Sequence, residues 1–146
     1  MARLLVEACT AEWTSGDVVR ELLVGVSVSR AGNGTPVSGL GADNFRVAAQ
    51  FGNLGDFAID QVSEWEWEPT DVEPAGCYQL SIGWNPLADA IVWRTPPPTP
   101  PPASGFKLFR GWRYVLGIQV RTFDKHTPPR VVDQGQTIVE VISIGE

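Results

Sequence analysis

The run Val18-Val19-Arg20-Glu21-Leu22-Leu23-Val24-Gly25-Val26-Ser27-Val28-Ser29-Arg30 decides the fold. Leu22, Val24, Val26 and Val28 share one parity, while Glu21, Leu23, Gly25, Ser27 and Ser29 share the other. Successive side chains of an extended chain point to opposite faces, so alternation held over this length is a strand with one apolar face. The β-branched valines on the inward parity suit a pleated, half-buried surface. Ala31-Gly32-Asn33-Gly34-Thr35-Pro36 then reads as a turn, because Asn-Gly supplies positive φ and proline fixes the exit.

The alternation returns along the chain. Arg3 to Thr10 sets Leu4, Val6 and Ala8 against Leu5, Glu7 and Cys9. Phe57 to Glu68 sets Phe57, Ile59, Gln61, Ser63, Trp65 and Trp67 against Asp60, Glu64, Glu66 and Glu68, which predicts acids in water and tryptophans against the core. Cys77 to Ile82 turns Tyr78, Leu80 and Ile82 inward, and a short connecting strand is expected around Ala90–Trp93. Phe106 to Thr122 places Tyr114, Leu116, Ile118 and Val120 inward, with Arg113, Gln119 and Arg121 outward. Gln136 to Ile144 sets Val139 and Val141 on one side, Ile138, Glu140 and Ile142 on the other. Trp13–Asp17, Gly52–Gly55 and Asp133–Gly135 read as turns. TPPPTPPP, Thr95–Pro102, cannot join a sheet interior and predicts a polyproline II loop, an insert spanning 95–105. Fifteen Gly and twelve Pro in 146 residues leave little room for long helices. The expectation is one all-β domain over residues 1–146, a two-sheet sandwich of seven to nine mostly antiparallel strands with a proline-rich rim loop.

The stretch VGVSVSRAGNGTPVSGLGADNFRV, Val24–Val47, resembles the early hairpin of bacterial immunoglobulin-like repeats of the invasin type and of carboxypeptidase-regulatory-like modules. The shared grammar is an alternating Val strand, a Gly-containing turn, Pro-Val-x-Gly-Leu, then Asn or Asp before an aromatic residue. Gly76-x-Tyr78-x-Leu80-x-Ile82 is likewise similar to a central strand of such sandwiches. The resemblance covers about a sixth of the chain and implies an immunoglobulin-like sandwich, although the Cys…Trp…Cys arrangement of antibody domains is absent. It also implies a strand over Phe45–Phe51, the preferred reading, although Phe45, Ala48 and Ala49 behind Asp43 also fit a helix.

With 43% apolar and 19% charged residues, the composition is that of a globular chain. Residues 1–84 hold twelve acids and four bases, residues 85–146 five acids and seven bases. An acidic chain without a basic stripe argues against nucleic acid, and no run of apolar residues is long enough for a membrane span. Leu4-Leu5-Val6 is too short for a secretion signal, so a cytoplasmic protein or part of an assembly is expected, with Cys9 and Cys77 as reduced thiols.

Chemistry is sparse. His126 lies in the polar loop Asp124–Pro129 and reads as an exposed turn residue; a dyad with Cys77 would need that thiol to leave an apolar strand. Glu64, Glu66 and Glu68 read as a solvated strand face rather than a glycosidase pair. Zinc spacing is absent, calcium has only scattered loop ligands in Asp43, Asn44, Asp124 and Asp133, and the glycines at 32, 34, 39 and 41 form no phosphate loop. No catalytic residue, cofactor or metal is expected. Six tryptophans exceed the needs of one small core, and exposed ones mark either a protein interface or a sugar-stacking platform. Trp65, Glu66 and Trp67, and the rim of Trp93, Pro97, Pro100 and Trp112, are the candidate contact surfaces. They point to a non-catalytic structural or interaction module, binding a protein partner or itself, with carbohydrate binding as the alternative.

Overall fold

A computed structural model describes residues 2–15, 20–49, 55–64, 76–85, 90–95 and 114–145. Among these, eleven strands form in chain order: β1 (Ala2–Ser15), β2 (Arg20–Arg30), β3 (Phe45–Ala49), β4 (Asp56–Phe57), β5 (Ile59–Glu64), β6 (Cys77–Ile82), β7 (Trp84–Asn85), β8 (Ala90–Ile91), β9 (Trp93–Thr95), β10 (Tyr114–Phe123) and β11 (Val131–Gly145). The all-β expectation holds, and the one helical piece among the described residues is a 3-10 turn, Ala42–Asn44, leading into β3. The ambiguous segment after Asp43 is therefore a strand from Phe45 to Ala49.

Seven strands join in one mixed sheet, ordered β3-β10-β11-β1-β2-β6-β5, while β4 pairs with β9 and β7 with β8. Where the sequence predicts two separate layers, the main strands are continuous, because β1 has partners along both edges: β2 antiparallel and β11 parallel. The sheet nearly closes into a barrel. Neighbouring strands lie about 4.8 Å apart, so in a flat sheet β3 and β6, five steps apart, would be separated by roughly 24 Å. Instead the rings of Phe45 on β3 and Tyr78 on β6 meet edge to face with centroids 5.3 Å apart. The apolar parities fill the interior: Leu4 and Val6 of β1, Leu22 to Val28 of β2, Phe45 and Val47 of β3, Tyr78 to Ile82 of β6, and Leu116 to Val120 of β10 are buried together.

Three local readings change. The residues Trp13 to Ser15, expected as a turn, continue β1, because β2 and β11 both bond to them. Asp133–Gly135, also expected as a turn, lies inside β11. Buried Asp133 accepts from Arg30 Nη1 at 3.0 Å and from the Thr122 hydroxyl at 3.1 Å, and a Cβ on Gly135 would collide with the Leu4 carbonyl. Polar and glycine residues here serve burial and close approach instead of a bend. In β5 the register against β6 shifts between Ile59 and Gln61, which flips the parity downstream. Val62 packs on the core in place of Gln61 and Ser63, and Glu64 accepts from the Gly39 and Gly76 amides, both at 2.9 Å, rather than standing in water.

Candidate functional site

The outward parities of β3, β10, β11 and β1 make one continuous face. The antiparallel registers place Arg46, Gln119 and Gln136 in one row and Ala48, Gly117 and Ile138 in the next, with Val115 beside Glu140 beyond. Arg3 of β1 pairs with Gln134 at the opposite end, in the row of Arg121. Of the six large apolar side chains exposed among the described residues, five belong to these strands and their outward parity: Leu5, Val115, Phe123, Val132 and Ile138. Ile138 is 65% exposed and Leu5 49%, values at which an apolar side chain gains little from its own fold. Gly117, lacking a side chain, leaves Ile138 standing above its neighbours.

A groove of about 420 Å³ opens on this face between β1 and β11, lined by Arg3, Leu5, Gln119, Gln134 and Gln136. Its origin lies in the backbone. Pairing of β1 with β11 is interrupted between Arg3 and Glu12, and the offset changes by one residue across the gap, so the two strands diverge after their contact at Gly135. At the positively charged end Arg121 lies 5.4 Å from the centroid of the Phe123 ring, while its Nε has no acceptor among the described residues. The Asn44 amide, donating to the Arg121 carbonyl at 2.8 Å, ties the 3-10 turn to β10.

A second feature lies at the Trp93 corner. Trp93 packs against Phe57 with ring centroids 5.2 Å apart and borders the core, so its ring is no open stacking platform. Beside it Arg94 pairs with Asp43 at 2.9 Å and donates to the Phe45 carbonyl at 3.2 Å, and Arg46 pairs with buried Asp56 at 2.7 Å. Trp65, Glu66, Trp67, Pro97, Pro100 and Trp112 lie outside the described residues.

The residues weighed for calcium are dispersed and engaged: Asp43 by Arg94, Asp124 by Arg130 at 2.9 Å, Asp133 by Arg30, and Asn44 by backbone. Among the described residues no three metal-ligating side chains gather. The backbone N–H of Arg130 holds the Asp124 carboxyl below its ordinary range, helped by the His126 amide and the Arg130 side chain. His126 is exposed in that loop, and Cys77 is a free, half-buried thiol on the outward parity of β6. Burial pushes the Tyr78 phenol up to about 12.

Comparison with known proteins finds no match. No family model, no curated protein and no solved structure corresponds to this chain. The site therefore rests on geometry. Sequence reasoning singles out tryptophans and misses this face, although a signal is present: Leu5 and Ile138 are large aliphatic residues whose next neighbours of the same parity are the acids Glu7 and Glu140.

Proposed function

We infer that this chain is a non-catalytic, immunoglobulin-like interaction module that presents the outer face of β1, β10 and β11 to a protein surface within a larger assembly. The observation that carries the reading is that, among the described residues, five of the six exposed large apolar side chains lie on that face. Scattered exposed aliphatics are ordinary on a soluble surface, whereas a cluster on one sheet face marks a contact site. Support for the immunoglobulin-like architecture comes from strand order. Lettered along the chain, β1-β2-β6-β5 follows the A-B-E-D sheet and β3-β10-β11 the C-F-G sheet, with the parallel pairing of β1 to β11 joining the two. Among the described residues no observation favours carbohydrate binding: Trp93, the one tryptophan whose side chain is described, packs its ring against Phe57.

Carbene footprinting tests the reading by comparing the dilute purified chain with the chain inside cells that express it. Protection at Leu5, Val115 and Ile138 in the cell, with Val92 unchanged, is the expected result. Unaltered labelling of all three removes the proposal.

A further inference from the structure

The groove between β1 and β11 has the donors of an anion site and no acid to satisfy them. Its polar lining is Arg3, Gln119, Gln134 and Gln136, beside Leu4, Leu5 and Val6. Among the described residues none of these four polar side chains makes a hydrogen bond or an ion pair. Strand pairing gathers them: Gln134 is the register partner of Arg3 on one side and of Arg121 on the other, and Gln136 faces Gln119 in the next row. Neighbouring strands lie about 4.8 Å apart, so one small group reaches across such a row. The acids nearest in sequence are engaged or apart. Asp133 is buried and pairs with Arg30 at 3.0 Å, Asp124 pairs with Arg130 at 2.9 Å, and Glu7 lies past Leu5 and does not line the groove. In a chain of net charge −6, this is a basic hollow.

The donor set selects the anion. Arg46, next to Gln119 in its row, is already paired with Asp56, and Arg121 lies against the Phe123 ring, so Arg3 is the one cation among the described residues lining the groove. A single guanidinium matches a carboxylate in charge and in its two parallel hydrogen bonds, whereas a phosphate dianion would keep half its charge uncompensated. The surroundings select its carrier. Leu5, 49% exposed, edges the groove, and Ile138, 65% exposed, follows Gln136 on the same parity of β11. A free carboxylate leaves both uncovered, while a chain segment with aliphatic residues beside its acid covers them. Resting on the interaction-module reading, we propose that the partner of this face is a protein segment in which an Asp or Glu is flanked by aliphatic residues. Its carboxylate accepts from the Arg3 guanidinium and the glutamine amides, and its apolar neighbours cover Leu5 and Ile138. The charge of Arg121, in the same row as Arg3, adds attraction from outside the groove.

Nuclear magnetic resonance titration of the full, nitrogen-15-labelled chain tests this with three probes: a capped Leu-Glu-Leu peptide, its Leu-Gln-Leu counterpart and glutarate. The acidic peptide is expected to shift the amides of Arg3, Gln119, Gln134 and Gln136 with a dissociation constant of about 1 mM, weakening as salt rises. Leu-Gln-Leu and glutarate should each bind at least about fivefold more weakly, the first for want of the charge and the second for want of the aliphatic flanks. Arg3→Gln should weaken the acidic peptide about tenfold and bring it level with the neutral one, while Lys125→Gln, which removes the same charge outside the groove, should change its binding by less than about twofold. Far-ultraviolet circular dichroism confirms the β fold of each variant. Equal binding of the two peptides, indifference to Arg3→Gln, or no shift up to about 10 mM overturns the proposal. Glutarate binding as tightly as the acidic peptide removes the protein segment as the occupant. Footprint protection in the cell without peptide binding leaves the interaction module standing and removes the acidic segment as its partner.

Discussion

Tyr78 ends in a hydroxyl that donates to the Val37 carbonyl and accepts from the Leu40 amide at 3.3 Å, so one side chain of β6 pins the connection between β2 and β3. Its phenol must stay neutral to remain buried, and burial pushes its pKa up to about 12 from an ordinary value near 10. In the unfolded chain the group ionises near 10. The stability it contributes is therefore complete below that pH and is lost as pH climbs toward 12. Tyr78→Phe leaves a carbonyl and an amide short of their partner, and a loss of about 1–2 kcal/mol at pH 7 is expected. Urea titrations at pH 7 and pH 11 should show the gap between the two proteins narrowing at the higher pH; a gap that widens contradicts the assignment. Parity alone turns Tyr78 inward, but its anchoring role is not legible in the sequence, because Val37 lies 41 residues away and only the pairing of β2 with β6 brings them together. Glu64 is a similar case: its alternation suggests water, and the register shift in β5 carries it instead to the Gly39 and Gly76 amides.

At the scale of the element, strands whose alternation is unbroken were legible to within a few residues. The inward residues of β2 and β6, and Leu116, Ile118 and Val120 of β10, are those their parity names, because a two-residue period has one solution once a face is buried. Reading failed where composition mimicked a turn. Asp133-Gln134-Gly135 has the residues of a loop, yet it runs through β11 where the strand passes close against Leu4 of β1. Gly135→Ala sets a methyl against the backbone of Leu4 and 2.9 Å from a Val6 methyl carbon, groups that cannot swing aside. A destabilisation of about 2–3 kcal/mol is expected. Gly32→Ala, with nothing within 4 Å of the added carbon, is the control and should shift stability by less than about 0.5 kcal/mol. Thermal melts of the two variants side by side check the contrast, and equal shifts would mean that the β1–β11 crossing is looser than described. The same crossing shapes the candidate site, since the groove opens where the strands part beyond it.

For the whole molecule, the decisive feature is that the first and last described strands pair with each other, Ala2 opposite Asp133 and Ser15 opposite Gly145. No local rule of sequence announces such a partnership, which is why periodicity gave strands but left their sheet order open. The consequence is energetic as well as topological. Among the described residues β3, β10 and β11 are joined to β2, β6 and β5 by strand pairing only through β1, while the side chains of both groups share one core. Neither group can bury its apolar parity alone, so the two should unfold together. Far-ultraviolet circular dichroism and tryptophan fluorescence are expected to trace a single urea transition, with amides of β6 and β10 exchanging at the same global rate. Removing residues 131–146 should abolish that transition rather than lower its midpoint, because the deletion exposes the inward face of β10 and one edge of β1 at once. A truncated chain that still melts cooperatively would mean that β1, β2, β6 and β5 form a unit of their own. Closure from such distant segments also places folding in the millisecond-to-second range of non-local β proteins, measurable by stopped-flow refolding.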